Sequence, residues 1–104
     1  MSPLNTSCHD TAAGPVLRVT GDLDYEHAPA LRRRVEELIL VPGQCLVIDL
    51  SGLDFCDSSG ITALLAALRH AQAKGADLAL AAVPANILRI FSVVGLDRVF
   101  TLQA

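Results

Sequence analysis

The run Cys45-Leu46-Val47-Ile48-Asp49-Leu50 is apolar except for Asp49 and is bounded by turn residues, Pro42-Gly43 before it and Ser51-Gly52 after it. An apolar run of this length between breakers reads as a central strand, parallel to a neighbour. A parallel neighbour needs a crossover, normally a helix, so the run commits the chain to strands alternating with helices.

The flanking sequence supplies that alternation. Gly14-Pro15 introduces Val16–Thr20, where Leu17 and Val19 share one face and Arg18 and Thr20 the other, the pattern of a strand with one buried face. Gly21-Asp22-Leu23-Asp24 ends that strand and leads to a helix with Pro29 in its first turn. Leu31, Val35, Leu38 and Ile39 form its apolar stripe, Arg32/Glu36 and Arg33/Glu37 can pair at i, i+4, and Pro42-Gly43 stops it. After the central strand, Ser51 to Gly60 reads as a loop dense in capping residues. A second helix then carries Ile61, Leu64, Leu65 and Leu68 and ends near Lys74, with Gly75 as the left-handed residue. Asp77–Val83 is another strand. Pro84 opens a third helix bearing Ile87, Ile90, Phe91 and Val94, closed by Gly95, and Val99–Leu102 is a last short strand. Residues 1–13 are expected to be a mobile tail or a short edge strand around Ser7–Ala12. The fold class is α/β: one domain over residues 1–104, with a largely parallel sheet of four to five strands.

Composition removes several function classes. The net charge is −3, and the basic cluster Arg32-Arg33-Arg34 is cancelled at once by Glu36-Glu37, so no electrostatic footprint for nucleic acid exists. No apolar run approaches the roughly 20 residues that cross a bilayer. Met1 to Asp10 lack the basic start and apolar stretch of a secretory signal. Cys8, Cys45 and Cys56 cannot all pair with one another and form no CxxC, which fits free thiols in a reducing cytoplasm.

The informative stretch is Asp57-Ser58-Ser59-Gly60, set between a strand and an amphipathic helix. The first amides of a helix lack intrahelical partners and its dipole is positive there, so Asp57 or Ser58 can serve as N-cap. Gly60 permits a tight turn or the close approach of a partner. Two hydroxyls at such an end are also placed to carry a phosphate, whose charge a helix N-terminus tolerates. The ordinary reading of these four residues is a cap alone.

The segment from Ile48 to Ile61 resembles the signature of the STAS family, the sulphate transporter and anti-sigma factor antagonist domains: an apolar strand ending in Asp-Leu, a short loop with an aromatic residue, then Asp-Ser-Ser-Gly opening a helix. Gly21-Asp22-Leu23-Asp24 resembles that family's upstream Gly-acidic-apolar-Asp element, and the order of elements matches over about residues 15–102. Cys56 stands where a larger apolar residue is usual, and Ile61 replaces the commoner Leu. The resemblance implies a mixed, mostly parallel sheet with helices packed mainly on one face. It further implies an anti-sigma factor antagonist that binds its partner when unphosphorylated and so releases a sigma factor. The partner is an anti-sigma factor with serine kinase activity that phosphorylates Ser58, and a phosphatase reverses the modification. Asp22, Asp24, Asp57, Ser58, Ser59 and Gly60 form the implied partner surface, with no cofactor, no metal and no enzymatic activity of the chain's own. The alternative is a STAS-type scaffold or ligand-binding subunit of a larger signalling assembly.

Other residues point less far. His9, His27 and His70 show no metal-ligand spacing. Cys56, next to the serine loop, is either a small buried hydrophobe or a redox-sensitive thiol. A serine hydrolase would need a base and an oxyanion site, and no Gly-x-Ser-x-Gly elbow is present.

Overall fold

In the computed structural model, which describes residues 2–103, the central run becomes β3 (Cys45–Cys56), flanked by β2 (Gly14–Leu23) and β4 (Asp77–Ala81). β1 (Asn5–Thr11) and β5 (Thr101–Gln103) form the edges of a five-stranded sheet whose spatial order is the chain order. β1 and β2 make an antiparallel hairpin, and every later pairing is parallel. The crossovers are α1 (Ala28–Glu36), α2 (Ser58–Ala73) and α3 (Ala85–Val93), the last followed by a 3₁₀ turn at Leu96–Arg98. Right-handed crossovers that always step in one direction lay all their helices on one face. The register agrees: Cys8, Leu17, Ile48, Leu80 and Leu102 align across all five strands. That row belongs to the same core as Leu31, Val35, Leu64, Ile87 and Phe91 from the helices. Val16, Val47 and Asp49 point the other way and are only half-buried.

The strand expected to stop at Leu50 runs on to Cys56, and the expected loop is its irregular half. Inward residues come at Leu46, Ile48 and Leu50, then at Leu53 and Cys56. The step lengthens from two residues to three because β3 carries an extra residue twice: Arg18/Thr20 on β2 face Asp49/Gly52, and Gly21/Asp22 face Leu53/Phe55. Asp49 supports the first bulge by accepting from the Ser51 N–H at 2.9 Å. That bond is the chief cause holding its carboxyl below the usual range; burial opposes it, and the Ser51 and Arg18 side chains add to it. β2 likewise extends through Gly21-Asp22-Leu23 instead of ending before them.

The helices depart from their expected faces in informative ways. α1 stops at Glu36, so Leu38 and Ile39 fall outside it; Ile39 is 86% exposed, and Leu40 takes the inward place. In α2 the buried side is Gly60, Ala63, Leu64, Ala67 and Ala71, while Ile61, Leu65 and Leu68 are half-buried flanks. Small residues on the near side let α2 lie close to the sheet and to α1. In α3 only Ile87 and Phe91, at i and i+4, are buried; Ile90 and Val94 are exposed. Phe91 stacks on Phe100 with ring centroids 5.9 Å apart. The Arg32/Glu36 and Arg33/Glu37 ion pairs do not form, the one pair among the described residues being His27 with Asp24.

Candidate functional site

β2 and β3 end side by side, with Leu23 opposite Cys56 and the Asp57 N–H donating to the Leu23 carbonyl at 3.3 Å. α2 starts there. Asp57 is its N-cap in an extended conformation: its Oδ1 accepts from the Gly60 N–H at 3.0 Å, and its carbonyl accepts from Ile61 N–H at 3.0 Å. Those bonds leave the Ser58 and Ser59 amides as the unpaired donors of the helix start.

The two serines then diverge. Ser58 is exposed, and its carbonyl, not its hydroxyl, is engaged, accepting from the Thr62 hydroxyl at 2.9 Å. Ser59 is half-buried and walls a hollow of about 210 Å³ with Tyr25, Pro29, Arg32 and Thr62. Gly60 is buried. A methyl group there would lie 2.8 Å from Cys56 Sγ and 2.8 Å from Leu23 Cγ, and closer still to the Leu23 carbonyl oxygen. Its place is therefore beneath the surface, as the tight seam between α2 and the strand ends, and the close approach expected of a partner is made by the chain itself.

The acidic residues at and just beyond the end of β2 are also occupied. Asp22 brackets the start of the chain: its Oδ2 accepts from the Ser2 N–H at 3.1 Å and its own N–H donates to the Ser2 carbonyl at 3.0 Å. Asp24 organises the entry to α1, its Oδ1 accepting from the His27 N–H at 3.0 Å and lying 2.7 Å from His27 Nδ1. Burial pushes the Asp24 carboxyl up, but the His27 ring and backbone N–H together outweigh it, and the group sits below its ordinary value. Cys56 is buried, and that burial, with the Asp57 charge beside it, pushes its thiol up to about 12. The neutral thiol is the stable form, which favours the packing reading over a redox role.

Sequence reasoning passed over Tyr25 as a site residue and left Phe55 as an unspecified loop aromatic. Both are exposed, at 81% and 50%; Tyr25 walls the same hollow as Ser59, and Phe55 lies near the end of β3, just before the serine loop. Tyr25 could have been noticed because it follows the Gly21–Asp24 element yet belongs to no apolar stripe.

These features fit one family. A family model described as "Mlab, STAS domain" matches residues 8–103, and the chain belongs to the STAS domain family. Anti-sigma factor antagonists are among its relatives. The Anti-sigma F factor antagonist of Paenibacillus polymyxa is 29% identical over 86 residues, covering 81% of this chain and 73% of the relative. A crystal structure of an anti-sigma factor antagonist from Mycobacterium paratuberculosis superposes with a TM-score of 0.84 at 28% identity, covering 97% of this chain and 86% of the other. The Bacillus cell fate determinant SpoIIAA in its phosphorylated form shares the fold, with a TM-score of 0.69 at 20% identity, covering 98% of this chain and 91% of the other. No helix among the described residues is long and apolar enough to cross a membrane.

Proposed function

We propose that this chain is an anti-sigma factor antagonist switched by phosphorylation of Ser58. The unphosphorylated protein binds an anti-sigma factor with serine kinase activity and so frees a sigma factor; the kinase phosphorylates Ser58, binding is lost, and a phosphatase restores it. The observation that carries this reading is the exposed Ser58 hydroxyl at the first turn of α2, directly after the capping Asp57. A phosphoryl group there meets a helix N-terminus with free amides, so the fold tolerates it while the surface gains about two negative charges. Asp57 and Ser59 border that hydroxyl, Asp22 and Asp24 anchor the adjoining segments, and Tyr25 and Phe55 are exposed aromatic anchors of the kind that dominate interface energies.

The test is incubation with candidate anti-sigma factors and ATP, reading complex formation by gel filtration and phosphate incorporation by mass spectrometry. Ser58→Ala abolishes incorporation and keeps binding, whereas Ser59→Ala keeps most of both. Incorporation into Ser58→Ala at the wild-type level would falsify the assignment. Recovery from cells only within a large assembly, without phosphate at any serine, would favour the assembly-subunit alternative.

A further inference from the structure

The seam between α1 and α2 is not closed. An open-sided hollow of about 320 Å³ is lined by Arg32, Val35 and Glu36 from α1 and by Ala66, Arg69 and His70 from α2. The protein carries −3 overall and has eight Lys and Arg residues, yet two of the eight and one of its three histidines converge here. Neither guanidinium pairs with a described carboxylate, even though Glu36 stands one turn from Arg32 on the same helix. His70 contributes a second, independent sign. Its Nε2 is out of reach of solvent and has no hydrogen-bond partner. A nitrogen left in that condition is costly, and native structures normally satisfy it. The last side-chain torsion of histidine is soft, so the ring can reorient at little cost to give that nitrogen a partner.

From these residues we infer that the α1–α2 hollow binds a small molecule bearing a phosphate monoester. Two guanidiniums from facing helices form a clamp suited to the oxygens of such a group, and His70 supplies a third donor. A dianion is favoured over a single carboxylate because two arginines outnumber the one carboxylate of Glu36, so the net positive hollow attracts the doubly charged group more strongly. Val35, Ala66 and Ala67 give the ester portion an apolar floor, and the volume fits a compact ligand. Arg32 also walls the smaller hollow that contains Ser59. The two hollows together follow α2 from Ser59 to His70, about 16 Å at the helical rise per residue. The inference does not require phosphorylation of Ser58, although Arg32 borders both hollows.

The test is a titration of the full chain with phenyl phosphate, following backbone amide signals and the His70 imidazole, with phenol and inorganic phosphate as separate probes. Phenyl phosphate gives saturable shifts at Arg32, Val35, Ala66, Arg69 and His70, inorganic phosphate shifts the same residues more weakly, and phenol does not. The double variant Arg32→Gln/Arg69→Gln binds at least about tenfold more weakly, the loss expected for charge-assisted hydrogen bonds. Both arginines are exposed, so the remaining spectrum should be unchanged, and Arg69→Gln alone serves if the double variant is perturbed. Absence of saturable shifts, phenol binding as well as phenyl phosphate, or undiminished binding by the arginine variants overturns the proposal.

Discussion

Gly60 and Leu23 are packed so closely that the Leu23 carbonyl oxygen occupies the space a side chain on Gly60 would fill. This seam joins the first turn of α2 to the ends of β2 and β3, and so fixes where the serine loop sits. Gly60→Ala should destabilise the protein by about 1–3 kcal/mol, the usual cost of overpacking a rigid site, because two of the three obstructing atoms belong to fully buried Leu23. Thermal melts of Gly60→Ala and Ser59→Ala give the comparison. A Gly60→Ala melt within error of wild type would show that the seam is loose.

Charge at Ser58 should cost the fold little. An acidic side chain at a helix N-terminus is neutral to slightly favourable, so Ser58→Asp should melt close to wild type. Leu64, nearly two turns further on, is fully buried between the helices and the sheet, and Leu64→Ala should lose about 2–5 kcal/mol. Equal damage from the two substitutions would contradict an exposed position for Ser58.

The bond between Asp24 and His27 has a pH signature. A carboxyl held below its ordinary value of 3.8 when folded adds stability above that value and loses it as pH falls through the lower, folded one. Asp24→Asn removes the contribution. The stability gap between wild type and Asp24→Asn, measured by denaturant titration, should therefore shrink on acidification below the ordinary value of the carboxyl. A gap that widens on acidification would reverse the sign and exclude this bond as its source.

Cys56 should be chemically silent in the folded protein. A thiol raised to about 12 is almost entirely protonated at mildly alkaline pH, and the thiolate is the nucleophile. Iodoacetamide should label the half-buried Cys8 first and reach Cys56 only on unfolding. Because the folded thiol resists ionisation, stability should also fall as pH rises above the ordinary value of 9.0. Rapid native-state labelling of Cys56 would restore the redox reading.

What was legible in the sequence follows from how local each signal is. The alternation in Val16–Thr20, the left-handed Gly75 and the cap at Asp57 depend on near neighbours, and each appears where the sequence indicates. The class and the mixed sheet with helices on one face are likewise as expected. The second half of β3 was not legible, because a bulge changes the inward period from two to three and is set by pairing with β2. Nor was the inner side of α2: periodicity picks out large aliphatics, whereas tight packing against α1 and the sheet selects Gly60, Ala63 and Ala67. At the site, the resemblance implied Asp22 and Asp24 as residues of a partner surface. It could not show that Ser2 and His27 already engage them, since those partners are chosen by the chain path.

Phosphorylation of Ser58 should act by local exclusion, with little rearrangement of the domain. Asp57 already commits its carboxylate to the Gly60 amide, and Asp24 commits its own to His27, so neither needs to move to receive the phosphate. The added charge instead alters the surface between Tyr25 and Phe55, where a partner that fits a neutral hydroxyl would have to desolvate a dianion without a matching cation. A hundredfold loss of affinity requires about 2.7 kcal/mol, and one buried, unpaired charge can exceed that. Backbone amide spectra of both forms, paired with binding titrations, provide the measurement. Shifts confined to Asp22–Asp24 and Phe55–Ile61, alongside a large affinity loss, are the expected result. The core that links α2 to α3 through Leu64, Ile87 and Phe91 is closely packed, so a transmitted change would have to appear in α3. Shifts spreading to Ile90 and its neighbours would replace local exclusion with an allosteric switch.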